Sequence, residues 1–335
     1  MIAALALLLL YPANAEELAQ RALAAAESGQ ALEAEKLWRQ ALTLEPSSHT
    51  INFNLGRFLY SQKRLAEAEP LFARAVASEP KDYNAWYLLG ATRSQAGKIE
   101  DALRAWREAL ALQPANLRLM HAMAIEYTKG RYHREAANLA SKALATQQDD
   151  PNLWLLAINA WQEAGEHGPA FDLAERLLKR FPTLPRAQFE YAYELHRAGR
   201  PAEALRWVSE AMKADPPWEE PFFLHGDILM REGKTEEAIV SLQKAIALRP
   251  DYMVARITLA RALMNAGRYA DARATLEAAI QADPRHPQPH LLLSQVLFRL
   301  GDEAGAAREK RKSLELKQEN PTAIEGTGSR PFPAR

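Results

Sequence analysis

Apolar and polar residues follow one another along this chain in a single recurring rhythm, shown most plainly by Glu219 to Pro250, EEPFFLHGDILMREGKTEEAIVSLQKAIALRP. Apolar side chains fall at spacings of three and four on both sides of Gly233, which predicts two amphipathic helices joined at the glycine and stopped by Pro250. Shifted by 34 residues in either direction, the pattern returns. With Ala15 as the first place, nine units run without a gap: 15–48, 49–82, 83–116, 117–150, 151–184, 185–218, 219–252, 253–286 and 287–320. This period, and not the length of 335 residues, sets the domain organisation.

The twentieth place of every unit is alanine: Ala34, Ala68, Ala102, Ala136, Ala170, Ala204, Ala238, Ala272 and Ala306. A small side chain lets two helices approach to the roughly 8–10 Å that ridge-into-groove packing requires. The twenty-seventh place is also alanine from Ala41 to Ala279, with Leu177 and Ser313 as departures. Glycine ends the first helix at one fixed place (Gly29, Gly97, Gly165, Gly199, Gly233, Gly267 and Gly301), where a left-handed residue is expected. Lys63 and Arg131 stand there in two units. Proline closes the second helix at Pro46, Pro80, Pro114, Pro182, Pro216, Pro250 and Pro284.

The period, the Leu-Gly pairs Leu55-Gly56 and Leu89-Gly90, the alanine series and the closing proline resemble the tetratricopeptide repeat family over residues 15–320. The resemblance implies an all-α fold, a right-handed α-α superhelix of about nine helical hairpins, with a concave face lined by first helices that holds a peptide or partner segment. The family's clamp for a C-terminal carboxylate uses a Lys and an Asn one turn apart, and no unit here supplies that pair. Arg21 in the first unit, and Lys310 and Ser313 in the last, replace apolar or small residues, as expected of repeats that face water on one side.

Both ends break the rhythm. Met1 to Leu10 is apolar, and Ala13-Asn14-Ala15 is a small-x-small site, so residues 1–15 read as a secretory leader cut before Glu16, although no Lys or Arg precedes the apolar run. That reading predicts a periplasmic or secreted protein; a leader that stays attached leaves the cytoplasm as the alternative. Residues 321–335 lack any apolar period and read as a disordered tail. The run of about ten apolar residues is too short to span a bilayer. A formal net charge of +0 offers no electrostatic footprint for nucleic acid. With no cysteine, thiolate chemistry and Cys-based zinc sites are excluded.

No spacing in the chain points to catalysis. Gly326-Thr327-Gly328-Ser329 lacks a following lysine and a preceding strand. His286 and His290 are separated by Pro287 and Pro289, and His133 and His167 share one place in adjacent units, where exposed histidines at second-helix starts outweigh a metal pair. We therefore expect no cofactor, no metal and no enzyme activity. Trp86, Trp154, Trp38 and Trp106 read as core, whereas Trp218 sits in a turn, where packing and exposed contact both stay open.

By helical spacing, the first-helix side chains facing away from the hairpin core include Phe53, Arg57, Tyr60, Tyr87, His121 and Asn159. Further along they include Phe189, Tyr193, His196, Phe223, Asp227 and Arg261. Aromatics and arginine dominate binding hot spots, so this face is the expected groove for a protein or peptide. Packing between neighbouring first helices is the competing reading for each aromatic. The function expected is a non-enzymatic interaction scaffold; the alternative is a structural assembly factor acting through its convex face, its ends or its tail.

Overall fold

The computed structural model describes residues 14–319. The expected tail at 321–335 lies outside the described residues, as does the expected leader apart from Asn14 and Ala15. These two belong to the first helix: Asn14 is its N-cap and Ala15 is 2% exposed.

Among the described residues there are 18 α-helices and no strand. The chain divides into two compact units, Met1–Gln148 and Asp149–Arg335. The first holds α1 (Ala15–Glu27), α2 (Ala31–Leu44), α3 (His49–Ser61), α4 (Leu65–Ser78), α5 (Tyr83–Gln95), α6 (Ile99–Leu112), α7 (Leu117–Lys129) and α8 (His133–Leu144). The second holds α9 (Pro151–Glu163), α10 (His167–Arg180), α11 (Pro185–Arg197), α12 (Pro201–Ala211), α13 (Glu219–Arg231), α14 (Thr235–Leu248), α15 (Met253–Asn265), α16 (Tyr269–Ala282), α17 (Pro287–Arg299) and α18 (Glu303–Glu319). Odd-numbered helices open the 34-residue units and even-numbered helices close them. Consecutive helices pack in pairs, the hairpins of an α-α superhelix.

The boundaries follow from backbone chemistry. The last place of a unit is the N-cap of the next first helix. Asn14, Asp82, Asn116 and Asp150 accept there from an otherwise unpaired N–H, at 2.8–3.0 Å. Every first helix ends in the same left-handed turn. In α1, Gly29 (φ 76°) donates to Ala26 O at 3.1 Å and Gln30 to Ala25 O at 2.8 Å, satisfying two orphan carbonyls. Lys63 (φ 61°) and Arg131 (φ 63°) hold the same conformation without being glycine, because tertiary packing on both sides of the turn dictates it.

The hairpin crossing is built from small residues. The nine alanines of the twentieth place are at most 9% exposed. The eighth place of the first helix faces them: a Cβ on Gly226 would lie 3.2 Å from Ala238 O. That same eighth place meets the twenty-fourth, and the two are matched in size. Gly56 lies under Phe72, Gly90 under Trp106 and Gly226 under Leu242. Ser313, expected to be wet, is 1% exposed and donates to Pro287 O at 2.8 Å. Pro70 lies inside α4 without ending it.

Neighbouring hairpins are joined by a latch that the apolar pattern does not reveal. At five of the seven closing prolines the carbonyl accepts from the fourth residue of the next first helix; after Pro114 and Pro216 that place holds Met120 and Phe222, which carry no side-chain N–H. The donors are Asn52 to Pro46 (2.9 Å), Trp86 to Pro80 (2.9 Å), Gln188 to Pro182 (2.9 Å), Arg256 to Pro250 (3.0 Å) and His290 to Pro284 (3.1 Å). That carbonyl lies past a helix end, where no backbone donor is in register. Trp86 is accordingly half-buried, with its ring packed and its indole N–H spent on the latch.

Two outcomes test this packing. Gly90→Ala sets a Cβ 2.3 Å from Trp106, whose indole is pinned by a 3.0 Å bond to Tyr87 O, so stability should fall by about 1–3 kcal/mol in urea unfolding. Much of that loss should return when Trp106→Leu is added. Lys63→Gly removes a side chain from a left-handed position and should raise stability by up to about 1 kcal/mol.

Candidate binding face

The first-helix face of the first unit is open and aromatic. Phe53 on α3 is half-buried; it stacks on His49 at 5.8 Å and meets Phe72 edge-on at 6.2 Å, with the exposed Arg57 guanidinium 6.0 Å from its ring. Tyr60 and Tyr87 are half-buried, and Tyr87 stacks on Tyr83 at 6.0 Å. His121 on α7 is half-buried one turn from Ile125, which is 39% exposed.

Polar bonds lace the three first helices side by side. Tyr60 is hydrogen-bonded to Gln95, Asn116 Nδ2 donates to Tyr83 Oη at 2.9 Å, and Ser94 Oγ donates to the buried Glu126 carboxylate at 2.9 Å. Burial raises the phenol pKa of Tyr60 and of Tyr83, and the neighbouring Tyr87 raises both further. Both remain neutral hydroxyls, able to donate, over the physiological range.

Around α11 and α13 in the second unit the equivalent face is closed, which corrects the expectation for three residues. Phe189, Tyr193 and Phe223 are 0%, 4% and 5% exposed and belong to the core. The reason lies at the caps of α13 and α15, where the polar residue is replaced by Trp218 and Tyr252. Trp218 meets Phe189 edge-on at 6.1 Å, and Tyr252 lies 5.3 Å from Phe223. Trp218 is therefore a packing residue.

Charges seal the same region. Arg186 lies over both Phe189 and Trp218 and pairs with Glu190 (3.4 Å) and Glu220. Arg249 lies 3.5 Å from the Tyr252 ring centre and pairs with Glu219 at 2.9 Å. Gln162 donates to Glu194 at 2.7 Å. His196 is bonded to Asp227 at 3.1 Å, and Arg231 reaches the same carboxylate at 3.2 Å. Burial opposes the charge on Asp227, yet the bonds from His196 and Arg231 outweigh it and hold the pKa below the usual range. Asn159 is half-buried, and Arg261 is exposed on α15.

The signal for this closure was present at the last place of each unit. Leu184, Trp218 and Tyr252 interrupt a series of polar caps, and Trp218 and Tyr252 cover aromatics of the preceding first helix. Further along the second unit, a cleft of about 1050 Å³ opens between α15, α17 and α18, lined in part by Met264, Leu291, Phe298 and Lys310. Among the described residues, no group of three His, Asp or Glu is placed to hold a metal ion. No helix among them is long and apolar enough to cross a membrane.

Sequence comparison agrees with the fold. Profiles described as tetratricopeptide repeat match residues 19–83, 83–116, 170–217, 229–296 and 266–321. The chain belongs to the tetratricopeptide repeat family. No curated protein matches it in sequence. Among solved structures it is similar to PilW, a type IV pilus biogenesis factor, at 23% identity and a TM-score of 0.55, covering 64% of this chain and 96% of that one. It is similar to the Cut9-Hcn1 hetero-tetramer of the APC/C at 14% identity and a TM-score of 0.56, covering 88% of this chain and 58% of that one. A third is Naa15/Naa10 bound to HypK, at 14% identity and a TM-score of 0.52, covering 92% and 64%. At these identities the likeness is one of fold.

The Asp227 site yields a pH test. Its folded-state pKa lies below the unfolded value, so its contribution is present above about pH 4 and is lost as pH falls through the depressed folded value. Asp227→Asn should therefore cost on the order of 1 kcal/mol near neutral pH. The gap from the parent should close in melts run progressively below about pH 4.

Proposed function

We propose that this protein is a non-catalytic scaffold that binds a partner protein segment along the first-helix face of α3, α5 and α7. The observation that carries the reading is the contrast between faces. Phe53, Tyr60, Tyr87 and His121 are partly exposed in the first unit and Ile125 is exposed, whereas the aromatics at equivalent places on α11 and α13 are covered by their own chain. Half-exposed aromatics held by packing and hydrogen bonds suit binding, because little ordering cost falls on the scaffold when a partner arrives.

The second-helix side of the same unit offers less. There Arg39 and Arg64 share Glu35 and Glu67 in a four-member network, at 2.6–2.8 Å, so those charges already have partners. A periplasmic or secreted setting accompanies this proposal. Cleavage before Glu16 would remove the Asn14 cap of α1, at a cost of about 1 kcal/mol. The intact mass of the mature protein tests it.

Photocrosslinking in the producing cells tests the face. A photoreactive residue in place of His121 should yield adducts with a partner protein, and one in place of Leu32, 88% exposed on α2, should not. Adducts from Leu32 alone would move the interaction to the second-helix side and sink the proposal.

A further inference from the structure

The chemistry of that face narrows the partner, in an argument that rests on the face being the binding site. Arg57 on α3 and Arg118 on α7 are exposed, and among the described residues no carboxylate pairs with either. The other charges nearby are spent. Lys129 holds Glu126 at 3.0 Å, and Glu126 is itself 2% exposed and takes the Ser94 hydroxyl as well. By contrast, Arg186, Arg231 and Arg249 in the second unit all rest on carboxylates of their own chain.

The tyrosines between the two arginines add donors. Asn116 Oδ1 caps α7 by accepting from Leu119 N at 3.0 Å, which fixes the amide so that Nδ2 points to Tyr83 Oη at 2.9 Å. Tyr83 thus accepts through its oxygen and keeps its own proton to donate. The face offers two unspent guanidinium groups and phenolic donors, and no unspent carboxylate from α3, α5 or α7. In α1 the place of Arg118 is taken by the exposed Glu16 and that of Arg57 by Leu23, so the positive stretch ends at α3.

We propose that α3, α5 and α7 take an extended, acidic protein segment that crosses the tyrosines and sets side-chain carboxylates on Arg57 and Arg118. First helices two repeats apart lie roughly 20 Å from each other at ordinary helix-packing distances. At about 3.3 Å per extended residue, the two carboxylates are about six residues apart in the segment. Bidentate guanidinium–carboxylate pairing selects acids over amides of the same shape. The acids recognised are side chains, so blocking the segment's terminus leaves binding intact.

The test uses the full-length protein and a bead library of random peptides of about ten residues, acetylated and amidated at the ends. Recovered peptides should be enriched in Asp and Glu about six positions apart. Their affinity should fall as salt rises. Arg57→Gln with Arg118→Gln should weaken the best of them by between about threefold and thirtyfold while leaving the melt unchanged, because both side chains are exposed. Tyr87→Ala should weaken acidic and neutral peptides alike, with Tyr87→Leu used if the alanine variant does not fold.

Recovered peptides without acid enrichment that still depend on Tyr87 would overturn the acidic segment and leave the binding face standing. Peptides indifferent to both sets of changes, or no recovered peptide at all, would overturn both. An oligonucleotide of similar length that displaces the selected peptide at equal affinity would overturn the acidic protein segment in favour of nucleic acid.

Discussion

Close approach of two helices at a point with almost no side chain is the constraint on which everything else in this protein rests. At the twentieth place only a methyl group stands between one backbone and the next, and at the eighth place often only a hydrogen. The space left over is filled from the twenty-fourth place: an indole over Gly90, a phenyl ring over Gly56, a leucine over Gly226. Close packing tolerates neither voids nor overlap, so where the eighth place is glycine a large side chain takes the room it leaves.

Once the crossing is set, the first helix of each hairpin has one face committed to its partner and another left to the neighbourhood. What happens on that second face depends on the residue that caps the next helix. A short polar cap, such as Asp82 or Asn116, spends itself on the backbone and leaves the aromatics before it partly open. A large cap, such as Trp218 or Tyr252, gives up the side-chain hydrogen bond and covers them instead. The same repeat therefore makes an open surface in the first unit and a sealed one around α11 and α13. The arginines follow suit, unspent where the surface is open and paired where it is sealed.

Much of this architecture is legible in the residues alone, because alanine, glycine and proline act locally: each is chosen by the backbone beside it. The faces were harder to read. Helical spacing places Phe189, Tyr193 and Phe223 on the same side as Phe53 and Tyr87. It says nothing of what the following hairpin lays over them, which is a contact some 29 residues away between Phe189 and Trp218. The proline latch escaped notice for a related reason. Asn, Trp, Gln, Arg and His share no hydropathy and no size, only an N–H at the right reach.

That indifference to side-chain type has a consequence for how such a chain can change. A junction that asks only for a proton donor opposite a carbonyl is a generic coupling, like a thread of standard pitch. The residue at that place is therefore free to change among five quite different side chains without loss of the bond.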